Sequence, residues 1–425
     1  MRLGYRYDAA GRRTGLTYPD GRQAGWAYDG AGRAVALTET DGGTWTATRN
    51  GAGALRGLAL PNGERAGWAY DAAGRPISTT LVSGTTTVFS QTATLDAAGQ
   101  RTALDDSWGH TSYGYDAAGR LARALYPDGT SEADGYDAAG NRLVVTSTSA
   151  LSGTAVTTNR YDAAAQLTTS SNSAQGTTSY SYDGAGNQTG SAGPQGTTTN
   201  TYNDLGQLTH VAGPTTNVGY ISDGQGDRLR SLAQGAPQWQ IQTLAQDVAG
   251  GGLSSIASDG TQDYTYLEPG KGQAPLAGSN QATGQTTYLG TDLLGSVRVA
   301  TNGANQVIGA GAYDAWGAAR PTTANAGGQT QLAGLQGATP FGYAGQYRDA
   351  GANTYDMRAR AYDPAQGRFL SVDPLVDQTG QPYSYANGNP ANNADPSGLF
   401  AFPHYTQDDG PGDPAFASLV KQTIA

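Results

Sequence analysis

Two Asp-Pro pairs near the end of this 425-residue chain are its clearest candidates for chemistry. Asp373-Pro374-Leu375-Val376 is followed, after eighteen residues, by Asp395-Pro396-Ser397-Gly398. Two carboxylates held close cannot both ionise freely, so they share a proton and titrate as a coupled pair. Such a pair does acid–base work, the ionised member activating a water while the protonated one polarises a carbonyl. The competing reading is structural: Asp before Pro is a common turn starter, and spacing alone favours it. Arg358, Arg360 and Arg368 lie just upstream and are expected mainly as structural ion-pair partners of core carboxylates. Other reactive residues are thinly spread. His110, His210 and His404 are far apart, and the chain has no His-x-x-x-His pair, Gly-x-Ser-x-Gly elbow or Walker loop. The absence of cysteine removes disulfides, thiolate metal sites and Cys nucleophiles. No metal and no cofactor is expected.

The elements that would carry these residues are read from the composition and the repeats. Glycine (63 residues) is abundant, charged residues make up only 14%, and Tyr (25) outnumbers Phe (6). Apolar residues arrive in regular pulses with aromatics, which points to many short strands and turns rather than disorder. Tyr-Asp followed by a Gly-containing turn recurs at Tyr7-Asp8, Tyr28-Asp29, Tyr70-Asp71, Tyr115-Asp116, Tyr136-Asp137, Tyr161-Asp162 and Tyr182-Asp183. Degenerate copies stand at Leu95-Asp96 and Tyr202-Asn203, and successive copies are 20 to 25 residues apart, or 42 where one has drifted away. The Asp side chain can bond backbone N–H groups two residues on, and the Gly can take φ > 0. A second turn type, Tyr18-Pro19-Asp20-Gly21 and its relatives at Pro61 and Pro127, falls between copies. Each unit therefore reads as a hairpin.

One hairpin is marginal in water, so neighbours must stack to bury a face. The expected fold class is all-β, a long antiparallel ribbon that curls as strand twist accumulates. The Asp residues of the repeats are read as structural. A sugar or Ca²⁺ role is the rival, but Glu is scarce and the Gly-Gly-x-Gly-x-Asp calcium repeat is missing. A net charge of −10 argues against a nucleic-acid surface, which needs clustered Lys and Arg. No stretch approaches the roughly 20 apolar residues of a membrane-spanning helix. The chain starts inside a repeat, with the expectation of a longer parent protein or a clipped reading frame.

The Tyr-Asp-x-x-Gly-Arg unit resembles the YD repeat of Rhs proteins, toxin-complex C components and teneurins. The resemblance continues through Tyr288…Asp292-Leu293-Leu294-Gly295-Ser296-Val297-Arg298 and Tyr313-Asp314-Ala315-Trp316-Gly317. It is strongest from Phe341-Gly342-Tyr343 through Tyr355-Asp356-Met357-Arg358-Ala359-Arg360 and Gly367-Arg368-Phe369-Leu370-Ser371-Val372-Asp373-Pro374. It implies a YD-repeat ribbon spiralling into a partial hollow shell over residues 1–252. An Rhs repeat-associated core closes the shell over 253–399, and a variable tail, 400–425, is a cargo remnant too short to fold alone.

The same resemblance implies that the paired motif is an intramolecular aspartyl protease, with Asp373 and Asp395 as its dyad and Leu399–Phe400 as the bond it cuts. Pro374, Pro396, Gly398 and Asn389 would position the motifs, and Arg368 would tune the dyad. One departure stands out: the first motif ends in Val376 where the family has Gly. The implied function is a shell that encloses a C-terminal effector peptide and releases it in a single self-cleavage, with no external substrate. An upstream shell segment or partner chain and a secretion apparatus are the expected further partners, and the location is secreted or cell-surface. The alternative is a non-catalytic, structural or adhesive YD protein that binds glycans or other proteins.

Overall fold

Each Tyr-Asp turn is closed by its own side chains. Asp8 Oδ1 accepts the backbone N–H groups of Ala10 (3.0 Å) and Arg12 (2.9 Å), and Oδ2 accepts Arg12 Nε at 2.7 Å. Gly11, at φ +78°, sends its N–H back to Asp8 O, and the strand register shifts at Arg6/Tyr7. This is a type I turn followed by a left-handed residue and a bulge, which increases local twist. The same bonds recur at Asp29, Asp71 and Asp116. They hold the carboxyls of Asp8 and Asp29 below the usual range, the backbone N–H of Arg12 or Arg33 being the leading cause. The tyrosine beside each turn stitches it to the strand before: Tyr28 OH donates to Arg13 O, Tyr70 OH to Leu55 O and Tyr136 OH to Leu121 O, at 2.6, 2.8 and 2.6 Å. The repeat residues thus serve structure.

The computed structural model describes residues 1–40, 43–234, 239–248, 252–320, 334–349 and 351–403. Among them, 23 strands from Gly4–Tyr7 to Trp239–Thr243 form one sheet, each strand antiparallel to the next in the chain. The ribbon is not closed on itself. Four smaller sheets follow: seven strands from Ala245–Asp247 to Val307–Ala310, the pair Ala312–Tyr313 and Ala319–Arg320, four strands from Tyr347–Asp349 to Arg368–Phe369, and the pair Asn393–Ala394 and Phe402–Pro403. The change of sheet falls at Leu244, ahead of the fading of the sequence period at Leu253. Most of the 400–425 tail, from residue 404 onward and including His404, lies outside the described residues, as does most of the Gly/Ala-rich loop after Pro321.

The ribbon wraps the smaller sheets, with contacts running along its length. Trp26, Leu37, Trp45, Leu58, Leu81 and Phe89 pack against Ala257, Leu267, Tyr288 and Val299, each large side chain contributing about 1.5–3 kcal/mol by burial. Further along, Gln91 Oε1 accepts Leu293 N, Tyr126 OH accepts Ala315 N, and Gln188 N donates to Leu370 O, at 3.0, 2.8 and 2.8 Å. The beginning of the ribbon docks on the seven-stranded sheet: Arg13 pairs with Asp247, and Tyr18 OH donates to Tyr264 O at 3.0 Å. Strands Arg142–Ser149, Gly153–Tyr161 and Gly176–Tyr182 differ, since none of their side chains is fully buried. There Thr178, Tyr180 and Tyr182 form a half-buried row alternating with exposed residues. Along these strands the core meets half-buried groups of the ribbon, Trp316 on Arg142 and Tyr383 on Tyr182, and the open ribbon is the partial shell expected from the sequence.

One turn departs from the repeat. Ala165 occupies the position that glycine takes elsewhere and adopts φ +59°, a conformation that costs a residue with a Cβ about 1–2 kcal/mol. Ala165→Gly is expected to stabilise the chain by about 1 kcal/mol, read as a rise in the urea midpoint. A midpoint that stays put or falls would show that the strain is compensated locally.

Candidate functional site

The second Asp-Pro motif rests on a hairpin of the four-stranded sheet. Strands Thr354–Met357 and Arg360–Asp363 pair through Met357 and Arg360, joined by a two-residue turn in which Arg358 takes φ +59°. Three successive carbonyls of the motif are taken by that turn. Arg358 Nη1 donates to Pro396 O, Ala359 N to Ser397 O (3.2 Å), and Arg360 Nε to Gly398 O. Beneath lies an aromatic layer of Tyr343, Tyr355, Tyr362, Phe369 and Tyr385 with Met357, all nearly inaccessible to solvent.

The first motif follows strand Arg368–Phe369. Asp373 N donates to Pro382 O at 2.8 Å, while its carboxylate accepts Leu375 N (2.8 Å, Oδ1) and Thr379 Oγ1 (3.1 Å, Oδ2). Val376 opens a one-turn helix, Val376–Thr379, and sends its N–H to Asp373 O at 3.0 Å. The left-handed residue of this segment is Gly380, at φ +65°. Nothing at position 376 calls for glycine, so the Val376 departure leaves the placement of Asp373 intact. Gly398 in the second motif sits at φ +69°.

The structure brings Asp373 and Asp395 together on one guanidinium. Arg360 Nη2 lies 3.3 Å from Asp395 Oδ2 and 3.6 Å from Asp373 Oδ2, so the separation of the two oxygens cannot exceed the sum of those distances. All three side chains are buried, and the guanidinium stacks 3.7 Å from the centre of the Phe369 ring. Burial pushes the Asp395 carboxyl up, with Arg360 opposing the shift. Burial likewise pulls Arg360 down, against the pull of the two carboxylates. A single buried cation cannot neutralise two carboxylates. The arrangement of lowest charge is one guanidinium, one carboxylate and one carboxylic acid.

Asp395 Oδ1 faces the Leu399–Phe400 peptide bond. It accepts Ser397 Oγ at 2.8 Å and the backbone N–H groups of both Leu399 and Phe400 at 3.1 Å. Ser397 Oγ reaches the same two N–H groups, at 3.1 and 3.2 Å. Asp395 Oδ1 thus lies 3.1 Å from the nitrogen of that bond as the acceptor of its N–H, and these bonds to Oδ1 oppose the upward push of burial.

Arg368 is placed elsewhere. Its Nη2 donates to Ala165 O at 2.9 Å, and its guanidinium stacks on Tyr383 and Tyr161. Arg360, expected from the sequence only as a structural ion-pair partner, stands where that reading puts Arg368, and alternation along its strand sets it on one face with the fully buried Tyr362. Ser397 and Thr379 were also missed. Pro374 is exposed, whereas Pro396 packs so closely over Gly272 that a Cβ there would lie 2.8 Å from it. Asn389 anchors the loop between the motifs to the ribbon, donating to Gly119 O at 2.8 Å. Asn392 links Asn389 Oδ1 to Tyr115 OH. Among the described residues no group of three or more His, Cys, Asp or Glu side chains is arranged to hold a metal.

A family model described as the teneurin YD-shell matches residues 65–396, and one described as the RHS repeat matches residues 2–23 and 7–44. Curated relatives include a double-stranded DNA deaminase toxin A of Burkholderia cenocepacia, 30% identical over 72% of this chain and 22% of its own length. A tRNA3(Ser)-specific nuclease WapA of Bacillus spizizenii is 27% identical over 67% of this chain and 12% of its length. The chain thus spans less than a quarter of these relatives. Among solved structures, TcdB2-TccC3 superposes with a TM-score of 0.73 at 18% identity, covering 93% of this chain and 22% of its own. The Tc holotoxin pore of Photorhabdus luminescens gives 0.74 at 18%, covering 95% and 22%. These structures share the fold.

Proposed function

Because this chain belongs to the teneurin YD-shell family, we propose that it is part of a toxin-delivery shell that severs its own C-terminal effector segment after Leu399. The observation carrying this reading is that Asp373 and Asp395 share Arg360 while Asp395 also accepts the N–H of the Leu399–Phe400 bond. In the proposed step Asp373 takes a proton from a water whose oxygen bonds to the Leu399 carbonyl carbon. The C–N bond then breaks as Asp395 gives its proton to the Phe400 nitrogen, leaving a carboxylate on Leu399 and an amine on Phe400. Arg360 keeps the two carboxyls in opposite protonation states, and Ser397 aligns the bond. Holding that bond in the same chain makes the reaction effectively unimolecular.

The relatives with toxin names support an effector beyond the cut and action outside the producing cell, with export supplied by further shell segments or a secretion apparatus. Among the described residues no helix is long and apolar enough to cross a membrane. Intact mass of the purified chain is the test, beside Asp373→Asn and Asp395→Asn. A product ending at Leu399 is expected in the parent and in neither variant; a folded parent chain that stays whole overturns the reading. Asp395 must carry a proton, so cleavage should slow as pH rises past its raised pKa.

A further inference from the structure

A cavity of about 280 Å³ lies where the ribbon turns around residues 139–142 and 163–165 meet the core. Its walls include Tyr136, Arg142, Tyr161, Trp316, Arg368 and Tyr383, and not one Asp or Glu. This is unusual in a chain with 35 acidic residues against 25 basic ones. The two arginines differ in their surroundings. Arg142 is satisfied by Glu132 and Asp134 and stacks on Trp316 at 4.1 Å. Arg368 is 6% exposed, yet its side chain bonds a backbone carbonyl and, among the described residues, makes no ion pair.

The bonds that Arg368 makes do not compensate its charge. Nη2 donates to the neutral carbonyl of Ala165, the ring faces of Tyr383 and Tyr161 lie 4.4 and 5.3 Å away, and Nε is buried without an acceptor. Asp363, its cross-strand neighbour, interacts with it electrostatically but lies outside ion-pair distance, and its oxygens accept Gln366 Nε2 (2.6 Å) and Ala365 N (2.8 Å). A buried guanidinium with no directly paired carboxylate and one unbonded N–H is costly. Its five donors in a planar fork match oxyanions better than water.

We propose that the cavity beside Arg368 is a binding site for a small oxyanion of the phosphate or carboxylate class. The anion supplies a directly paired charge at the seam between ribbon and core, accepts from Arg368, and stabilises the docking of the two. The cavity volume is several times that of one water, which leaves room for such an ion. This site is separate from the Arg360 cluster and stands whether or not the chain cuts itself.

The test uses the full chain carrying Asp395→Asn, so that its length is fixed. Inorganic phosphate is titrated by calorimetry at constant ionic strength, with acetate as a competitor. One saturable site is expected in this parent. Arg368→Gln, which removes the guanidinium, and Gln381→Glu, which keeps it and adds a carboxylate to the lining, should each weaken binding about tenfold or more. Arg12→Gln, on an exposed turn, should leave it unchanged. Displacement by acetate assigns the site to oxyanions generally, and its failure to displace assigns it to phosphate. No saturable binding in the parent, or equal binding in Gln381→Glu, overturns the proposal; the latter variant decides alone if Arg368→Gln does not fold.

Discussion

Arg360→Met is expected to lower stability by about 3–5 kcal/mol at neutral pH and to stop release of the segment beyond Leu399. The size follows from what the substitution leaves behind. Asp373 and Asp395 are 3% and 2% exposed, and without the guanidinium both carboxyls sit in a poorly solvated pocket. Asp395, already pushed up by burial, then loses the cation that opposes the shift, so the stability it contributes is fully present below the unfolded carboxyl pKa and is lost as pH rises through the folded value. The deficit against the parent should therefore be small near pH 4 and large near pH 8, which urea unfolding at the two pH values reads directly. Methionine also loses the stacking on Phe369, an effect that does not depend on pH. Repeating the substitution in an Asp373→Asn/Asp395→Asn background separates the two causes, because no buried carboxylate remains to be exposed there. A deficit that is the same at both pH values and in both backgrounds would make Arg360 a packing residue and remove the electrostatic argument.

The shell was legible in the sequence because its chemistry is local. Asp8 closes its turn with Ala10 and Arg12, and tyrosines such as Tyr28, Tyr70 and Tyr136 reach the strand about fifteen residues back, so the repeats display their own reason for folding. The candidate site is assembled from distant parts instead. Arg360 and Asp395 are 35 residues apart, and Asn389 meets the ribbon 270 residues away at Gly119. Motif resemblance supplied the two aspartates but not the cation between them. Choosing Arg360 over Arg368 requires knowing which strand face turns toward the motif turns and which toward the ribbon. The first motif shows the opposite difficulty. Val376 looked like a defect because the family has Gly there, yet a left-handed residue is needed only four positions on, where Gly380 supplies it.

That contrast gives the second large expected effect, in which the two motif-end positions answer oppositely to substitution. Gly398 has φ +69°, and a Cβ built on it would lie 2.4 Å from Met357 O and 2.9 Å from Arg360 N. Both are backbone atoms of the hairpin that receives the motif carbonyls, so neither can move aside as a flexible side chain would. Gly398→Ala must therefore shift the motif off the hairpin, at a cost of about 1–3 kcal/mol. The loss most directly affects the bond from Arg360 Nε to Gly398 O and the approach of Asp395 to the Phe400 N–H. Cleavage, followed as the fraction of chain ending at Leu399, should become undetectable even where circular dichroism shows the sheets intact. Val376→Gly changes a helical position whose backbone already takes the required turn, so the rate of cleavage should stay within about twofold while stability falls by about 0.5–1 kcal/mol through backbone entropy. If instead Val376→Gly accelerated cleavage tenfold, the turn after Asp373 would be limiting, and the resting geometry around Asp373 would have to change before the bond is cut.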